Sequence, residues 1–180
     1  MTSLENLKRV LGPPEHPANT GNEEAWSGVE SRLGVRLPDD YKAFVSMYGS
    51  GVIDDFLYVA VPFGGDPFYN LEQLVRLYAK IDGDLRSLGL PFRYLIYPKP
   101  GGLLPWAKTA NGDRCYWRTA PRRSADEWTV IVIGSDVEKT LQFCGSMTEF
   151  LRSYLVGETT IDFWPDAQRA AGPRFTPLHT

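Results

Sequence analysis

A chain of 180 residues with 43% hydrophobic content can close one core without cross-links, burying roughly 70% of the surface its unfolded form would expose. Its net charge of −3 and pI near 5.4 argue against a nucleic-acid binder, which would turn a basic face to phosphates, and are compatible with a basic protein partner. The two cysteines, Cys115 and Cys144, are too few for a disulfide framework. The mixed charges of MTSLENLKRVLG suit neither a signal peptide nor a membrane anchor, so free thiols, a cytoplasmic location and no membrane contact are expected. Two strand cysteines could still face each other.

Leu4, Leu7 and Leu11 predict a short amphipathic helix. PPEHPANTG after it predicts an extended linker, because each proline removes a backbone donor. Residues 1–21 are therefore read as a helix and linker ahead of a domain spanning residues 22–164. Trp26, Val29 and Leu33 recur at helical spacing behind a capping box of Thr20 and Glu23, and Gly34 stops that helix. Leu37-Pro38 starts the next, with proline at the first helical position and Asp39 and Asp40 at the positive end of the dipole. Tyr41, Phe44, Val45 and Tyr48 form its buried stripe. Gly49 and Gly51 end it and turn the chain into an apolar run from Val52.

Residues 56–61 predict the first strand. Asn70 and Gln73 then cap a third helix carrying Leu71, Leu74, Val75, Tyr78 and Ile81, which ends at Asp82-Gly83. Five further strands are predicted over residues 92–97, 103–107, 114–118, 128–133 and 139–143. Asn111-Gly112 is a favoured pair for a positive-φ tight turn, so the strands bearing Trp106 and Trp117 form a hairpin. Ser146 and Glu149 box the start of a last helix with Met147, Phe150, Leu151, Tyr154 and Leu155 on one face, and residues 165–180 are read as a poorly ordered tail. The whole predicts a single α+β domain: an antiparallel sheet of about five to six strands in a meander, with helices packed on one side.

A first helix bearing Glu30, then Leu33-Gly34, Leu37-Pro38, Tyr41, Phe44 and Tyr48-Gly49-Ser50-Gly51, resembles the LG-x-x-LP-x-x-Y-x-x-F and YG-x-G pattern of the SMI1/KNR4 family of the SUKH superfamily. Leu104-Pro105-Trp106, Asn111-Gly112-Asp113, Trp117, Trp128 and Phe150-Leu151 are similar to the LPW, NGD, W, W and terminal FL elements of bacterial members, so the likeness covers about residues 20–160. Ala107 stands where members often have glycine, and Glu30 is followed by Ser31 and Arg32. The resemblance implies a non-enzymatic interaction domain without cofactor or metal. Bacterial members usually serve as immunity proteins against a secreted toxin, and fungal members as regulators linked to cell-wall synthesis.

The residues themselves offer little assembled chemistry. The only histidines, His16 and His179, lie in the linker and the tail, and no third nitrogen or sulfur ligand accompanies the two cysteines. Asp54 and Asp55 are the best-placed carboxylates, in a loop between helix and strand, yet consecutive extended residues point opposite ways. The alternative to immunity is accordingly a scaffold or regulatory interaction module, as the fungal members imply, and a carboxylate-dependent enzyme is the weaker one. Trp26 is expected in the core, while at least one of Trp106, Trp117 and Trp128 could line an open groove. Asp54, Asp55, Asp126 and Glu127 are the acids expected to steer a basic toxin toward the apolar strands beside them.

Overall fold

The computed structural model describes residues 2–90, 92–165 and 172–178, which form five α-helices and one seven-stranded antiparallel sheet. Helix α1 (Ser3–Val10) is capped by Thr2 and buries Leu4 and Leu7, with Leu11 following. These leucines join the main core, so the N-terminal segment is part of the domain rather than an appendage. The Tyr48 hydroxyl holds it there by donating to the Leu11 carbonyl at 2.5 Å. Helix α2 (Glu23–Leu33) is capped by Asn22, whose Oδ1 accepts the Ala25 N–H at 2.8 Å; the cap expected at Thr20 lies two residues too early.

Helix α3 (Asp39–Tyr48) buries Tyr41, Phe44, Val45 and Tyr48, the stripe that its spacing predicts. Pro38 sits at the N-cap, one position earlier than expected, and has no side chain with which to cap. Asp126 supplies that function from the short 3-10 turn Ala125–Glu127, its Oδ1 accepting the Asp39 N–H at 2.7 Å. Helix α4 (Leu71–Ser87) runs through Gly83 rather than stopping there, and an i,i+4 pair of Asp82 and Arg86 spans the glycine. Helix α5 (Met147–Leu155) opens with the predicted Ser146 and Glu149 box.

Strands β1 (Gly51–Ile53), β2 (Leu57–Val59), β3 (Leu103–Thr109), β4 (Arg114–Arg118), β5 (Thr129–Ile133) and β6 (Thr140–Phe143) run as a meander, the predicted topology, with β1 a strand ahead of the one expected to be first. A seventh, β7 (Phe175–Pro177), pairs with β1 at its free edge, and Phe175 enters the core edge-on against the stacked Phe44 and Tyr48 rings. The tail read as disordered therefore contributes a strand over part of its length. Its residues 166–171, 179 and 180 lie outside the described chain. Residues 92–97 form no strand: only Ile96 bridges to Leu103, in a segment whose flanking prolines donate no backbone hydrogen bond. Phe56 falls in the turn between β1 and β2, so the run read as one strand over 56–61 begins one residue later.

Register divides the sheet into two faces. Leu104, Trp106, Ala107, Cys115, Trp117, Val130 and Val132 look toward α1, α2, α3 and α5 and make the main core. A β-bulge between Pro105 and Ala107 lets Trp106 and Ala107 share that side. On the outer face, Leu103, Tyr116, Ile131 and Ile133 join Ile96 in a second, smaller cluster, against which Tyr78, Phe92 and Tyr94 pack. Helix α4 belongs partly to this second face, because Leu71, Leu74 and Val75 enter the main core whereas Tyr78 touches both.

Candidate interaction surface

The motif residues near the N-terminal half hold backbone, and the structure gives each a physical task. Glu30 Oε1 accepts the Leu37 N–H at 2.8 Å and the Lys42 ammonium at 3.1 Å, fixing the turn that Gly34 opens between α2 and α3. Leu33 is half-buried, Leu37 and Pro38 are buried, and the Tyr41 hydroxyl donates to the Ala60 carbonyl at 2.6 Å. Gly49 and Gly51 are sites of close approach: a Cβ would strike the Ala18 carbonyl at the first and the Phe175 ring at the second. Asp113 is buried and accepts from the Thr109 hydroxyl and the Ser135 N–H, each at 2.9 Å, so it staples the β3–β4 turn to the β5–β6 turn. In that first turn only Gly112 has positive φ, +86°, while Asn111 does not.

The tryptophans all gather on the inner side. Trp106 and Trp117 are fully enclosed, 6.0 Å apart, and Trp117 meets Tyr41 edge to face at 4.9 Å. Trp26 is only half-buried, wedged edge-on between Tyr41 and Phe63. Trp128 is nearly buried, yet it lines a cleft of about 630 Å³ beside Gly34, Tyr97 and Pro121, the nearest match to the groove-lining tryptophan expected from sequence.

The four acids expected to form one steering surface are parted by the length of the sheet. Asp54 and Asp55, both at φ +55°, form the tight β1–β2 turn, beside the β3–β4 turn that Phe56 reaches through the Ala110 N–H. Asp126 and Glu127 precede β5 and so lie at the opposite end, near the start of α3. Asp54 Oδ1 accepts the Arg174 N–H at 2.9 Å and ties down the segment entering β7. Asp55 and Glu127 are exposed. Two of the four acids thus cap backbone, and no single patch contains them all.

A different surface assembles on the outer face, unmarked in the sequence reading. Tyr58, Lys108, Arg114 and Ile133 align across β2 to β5 in register. Lys108 lies over the Phe68 and Tyr69 rings at 5.3 and 5.0 Å, and Arg114 over the Tyr78 ring at 5.2 Å. Burial lowers the Lys108 ammonium from its ordinary value, with Asp66 opposing, and burial raises the Tyr78 phenol, with Arg114 opposing. Between α4 and the sheet lies a cavity of about 360 Å³ lined by Tyr78, Leu85, Leu90, Phe92, Ile96, Arg93, Arg114, Tyr116 and Val137 among others. Leu88 and Leu90, at 72% and 64% exposure, and the exposed Leu95 lie on the adjoining loop.

One carboxylate faces this cavity, and it is spoken for. Asp82, buried, receives Arg86 Nε at 2.9 Å and Lys99 Nζ at 2.6 Å. Burial alone would raise its carboxyl, but the Arg86 and Lys99 hydrogen bonds and charges outweigh that and hold it below the ordinary carboxylate range. Among the described residues no helix is long and apolar enough to cross a membrane.

The family model described as SMI1-KNR4 cell-wall (SUKH_6) matches residues 23–151, from the first residue of α2 into α5. No curated protein matches this chain. The match takes in the Glu30 turn, the two close-approach glycines, the enclosed tryptophans and the Asp113 staple: the chain belongs to the SMI1/KNR4 family of the SUKH superfamily.

Proposed function

We propose that this chain is an immunity-type binding domain that captures a cognate toxin domain one to one, through the outer face of its sheet. Family membership supports a binding role. The observation that carries the choice of face is the set of exposed aliphatic side chains, Ile81, Leu90 and Val137, that line an apolar cavity while the opposite face is covered by helices. Capture of this kind needs shape and charge complementarity over roughly 800 Å² per partner and no bond-making step. Co-expression with a toxin encoded beside this chain tests it: the folded parent restores growth. Persistent killing by every linked toxin, with the parent soluble and folded, overturns the proposal.

A further inference from the structure

We infer that the outer-face cavity docks an acidic, amphipathic segment of the partner protein, an apolar side chain of the segment filling the cavity and its carboxylates meeting Arg93 and Arg114. The inference deepens the proposed function and takes from it that the partner is a protein. It reverses the charge that the net value of −3 suggests for that partner.

Four observations carry it. The cavity, about 360 Å³, is of a size that holds a buried apolar group, and Ile96 and Tyr116 give it a closed apolar floor. Arg93 and Arg114 line it, and neither has a carboxylate partner among the described residues: Arg93 lies over the Tyr94 ring at 5.6 Å, and Arg114 lies over the Tyr78 ring at 5.2 Å and interacts with the Tyr78 and Tyr116 hydroxyls. Asp82, the one carboxylate of the lining, does not cancel them, because Arg86 and Lys99 already bind it from outside the wall. A carboxylate entering here meets arginines already desolvated on one side by aromatic rings, where a charge-assisted hydrogen bond is strongest.

The fourth observation is Val137. It stands at φ +58° at the tip of the β5–β6 turn, a left-handed conformation that is costly for a β-branched residue and that glycine or asparagine would adopt freely. Its side chain is 44% exposed and borders the cavity, so it gives the fold little in return for that strain. An isopropyl group held there extends the apolar mouth. Ile81 and Leu90, exposed lining residues, carry the apolar wall out to solvent beside Val137, which suits a segment with several anchors at helical spacing better than a small amphiphile enclosed at one point.

A random dodecapeptide phage library selected against the immobilised full chain tests this without presupposing a sequence. Enriched peptides are expected to combine aromatic or aliphatic anchors with Asp or Glu. As free peptides they should bind at least about tenfold more weakly to Leu90→Asp and to Arg93→Glu, whose exposed positions leave the melting temperature unchanged. Added salt should weaken binding to the parent. Enrichment of basic or neutral peptides, equal binding by both variants, or no peptide at all while sodium dodecanoate stabilises the parent would each overturn the inference, the last by assigning the cavity to a small amphiphile. Growth rescue separates the two proposals. Variants that lose the peptides yet still protect from the toxin refute this docking site and leave immunity standing. A parent that binds the acidic peptides but rescues no host refutes immunity alone.

Discussion

The two faces of the sheet are built from alternate residues of the same strands and differ in almost every respect. On the inner face large aromatic rings meet edge to face and exclude water, as where Phe150 touches both Trp106 and Phe143. On the outer face aromatic rings meet cations as well as one another, and Tyr78, Phe68 and Tyr69 serve as platforms for Arg114 and Lys108. Period-two alternation lets one strand serve both, as β4 does: Cys115 and Trp117 point in, Arg114 and Tyr116 out. The lesson is a division of labour: stability is concentrated on one side, which frees the other to carry charge, strain and exposed hydrocarbon.

Substitutions can break that division directly. The largest effects are expected inside: Trp117→Ala and Phe44→Ala should each lose roughly 3 to 5 kcal/mol in denaturant melts, the cost of emptying an enclosed aromatic site. Trp26→Ala, at a half-buried position, should lose only about 2 kcal/mol. A parent-like melt for Trp117→Ala would show that the inner face does not carry the fold.

Acid should act in part from the outer side. Because the Asp82 carboxyl is depressed in the fold, its contribution to stability is present above its unfolded pKa of about 3.9 and is lost as pH falls through the lower folded value. Melts of the parent should therefore lose stability below that point, and Asp82→Asn should flatten this part of the profile. An unchanged profile would mean that Arg86 and Lys99 do not favour the charged form.

Val137→Gly should gain about 1 kcal/mol by releasing the left-handed strain, while weakening whatever docks at the cavity. Opposite signs for stability and binding would sharpen the contrast between the faces; a loss in both would dissolve it. Leu88→Asp should move stability by no more than about 0.5 kcal/mol, since the side chain is mostly in solvent, and a larger loss would reveal packing that this exposure excludes. The smallest perturbation is chemical. Cys144 is exposed, whereas burial, aided by the Asp113 charge, pushes the enclosed Cys115 thiol well up. Native alkylation should modify Cys144 alone and denaturation should expose both thiols; rapid native labelling of Cys115 would show that the inner face opens.

Much of this architecture is legible in local sequence. Strand β4 and the buried stripe of α3 fall where period and punctuation place them, because one face of each must be apolar. What escapes is non-local. Phe175 reads as a tail residue until β7 is seen beside β1, more than 120 residues earlier in the chain, tied there through Asp54. The Asp54-Asp55 hairpin is hidden because aspartate pairs seldom take the positive φ that Asn-Gly advertises. Helix α4 overruns its glycine because Asp82 and Arg86 bridge it. The outer-face surface is the least legible of all, since its lips come from an irregular loop, a helix and a turn that no shared period relates.

The placement of the tryptophans has a spectroscopic consequence. All five belong to, or pack against, the inner core, and the outer cluster contains none. Intrinsic indole emission will therefore follow unfolding faithfully while staying nearly blind to events on the opposite face. A titration that shows no change in tryptophan fluorescence would thus be no sign that a partner has failed to dock there. Leu90→Trp, at an exposed position lining the cavity, would give that face its own optical reporter.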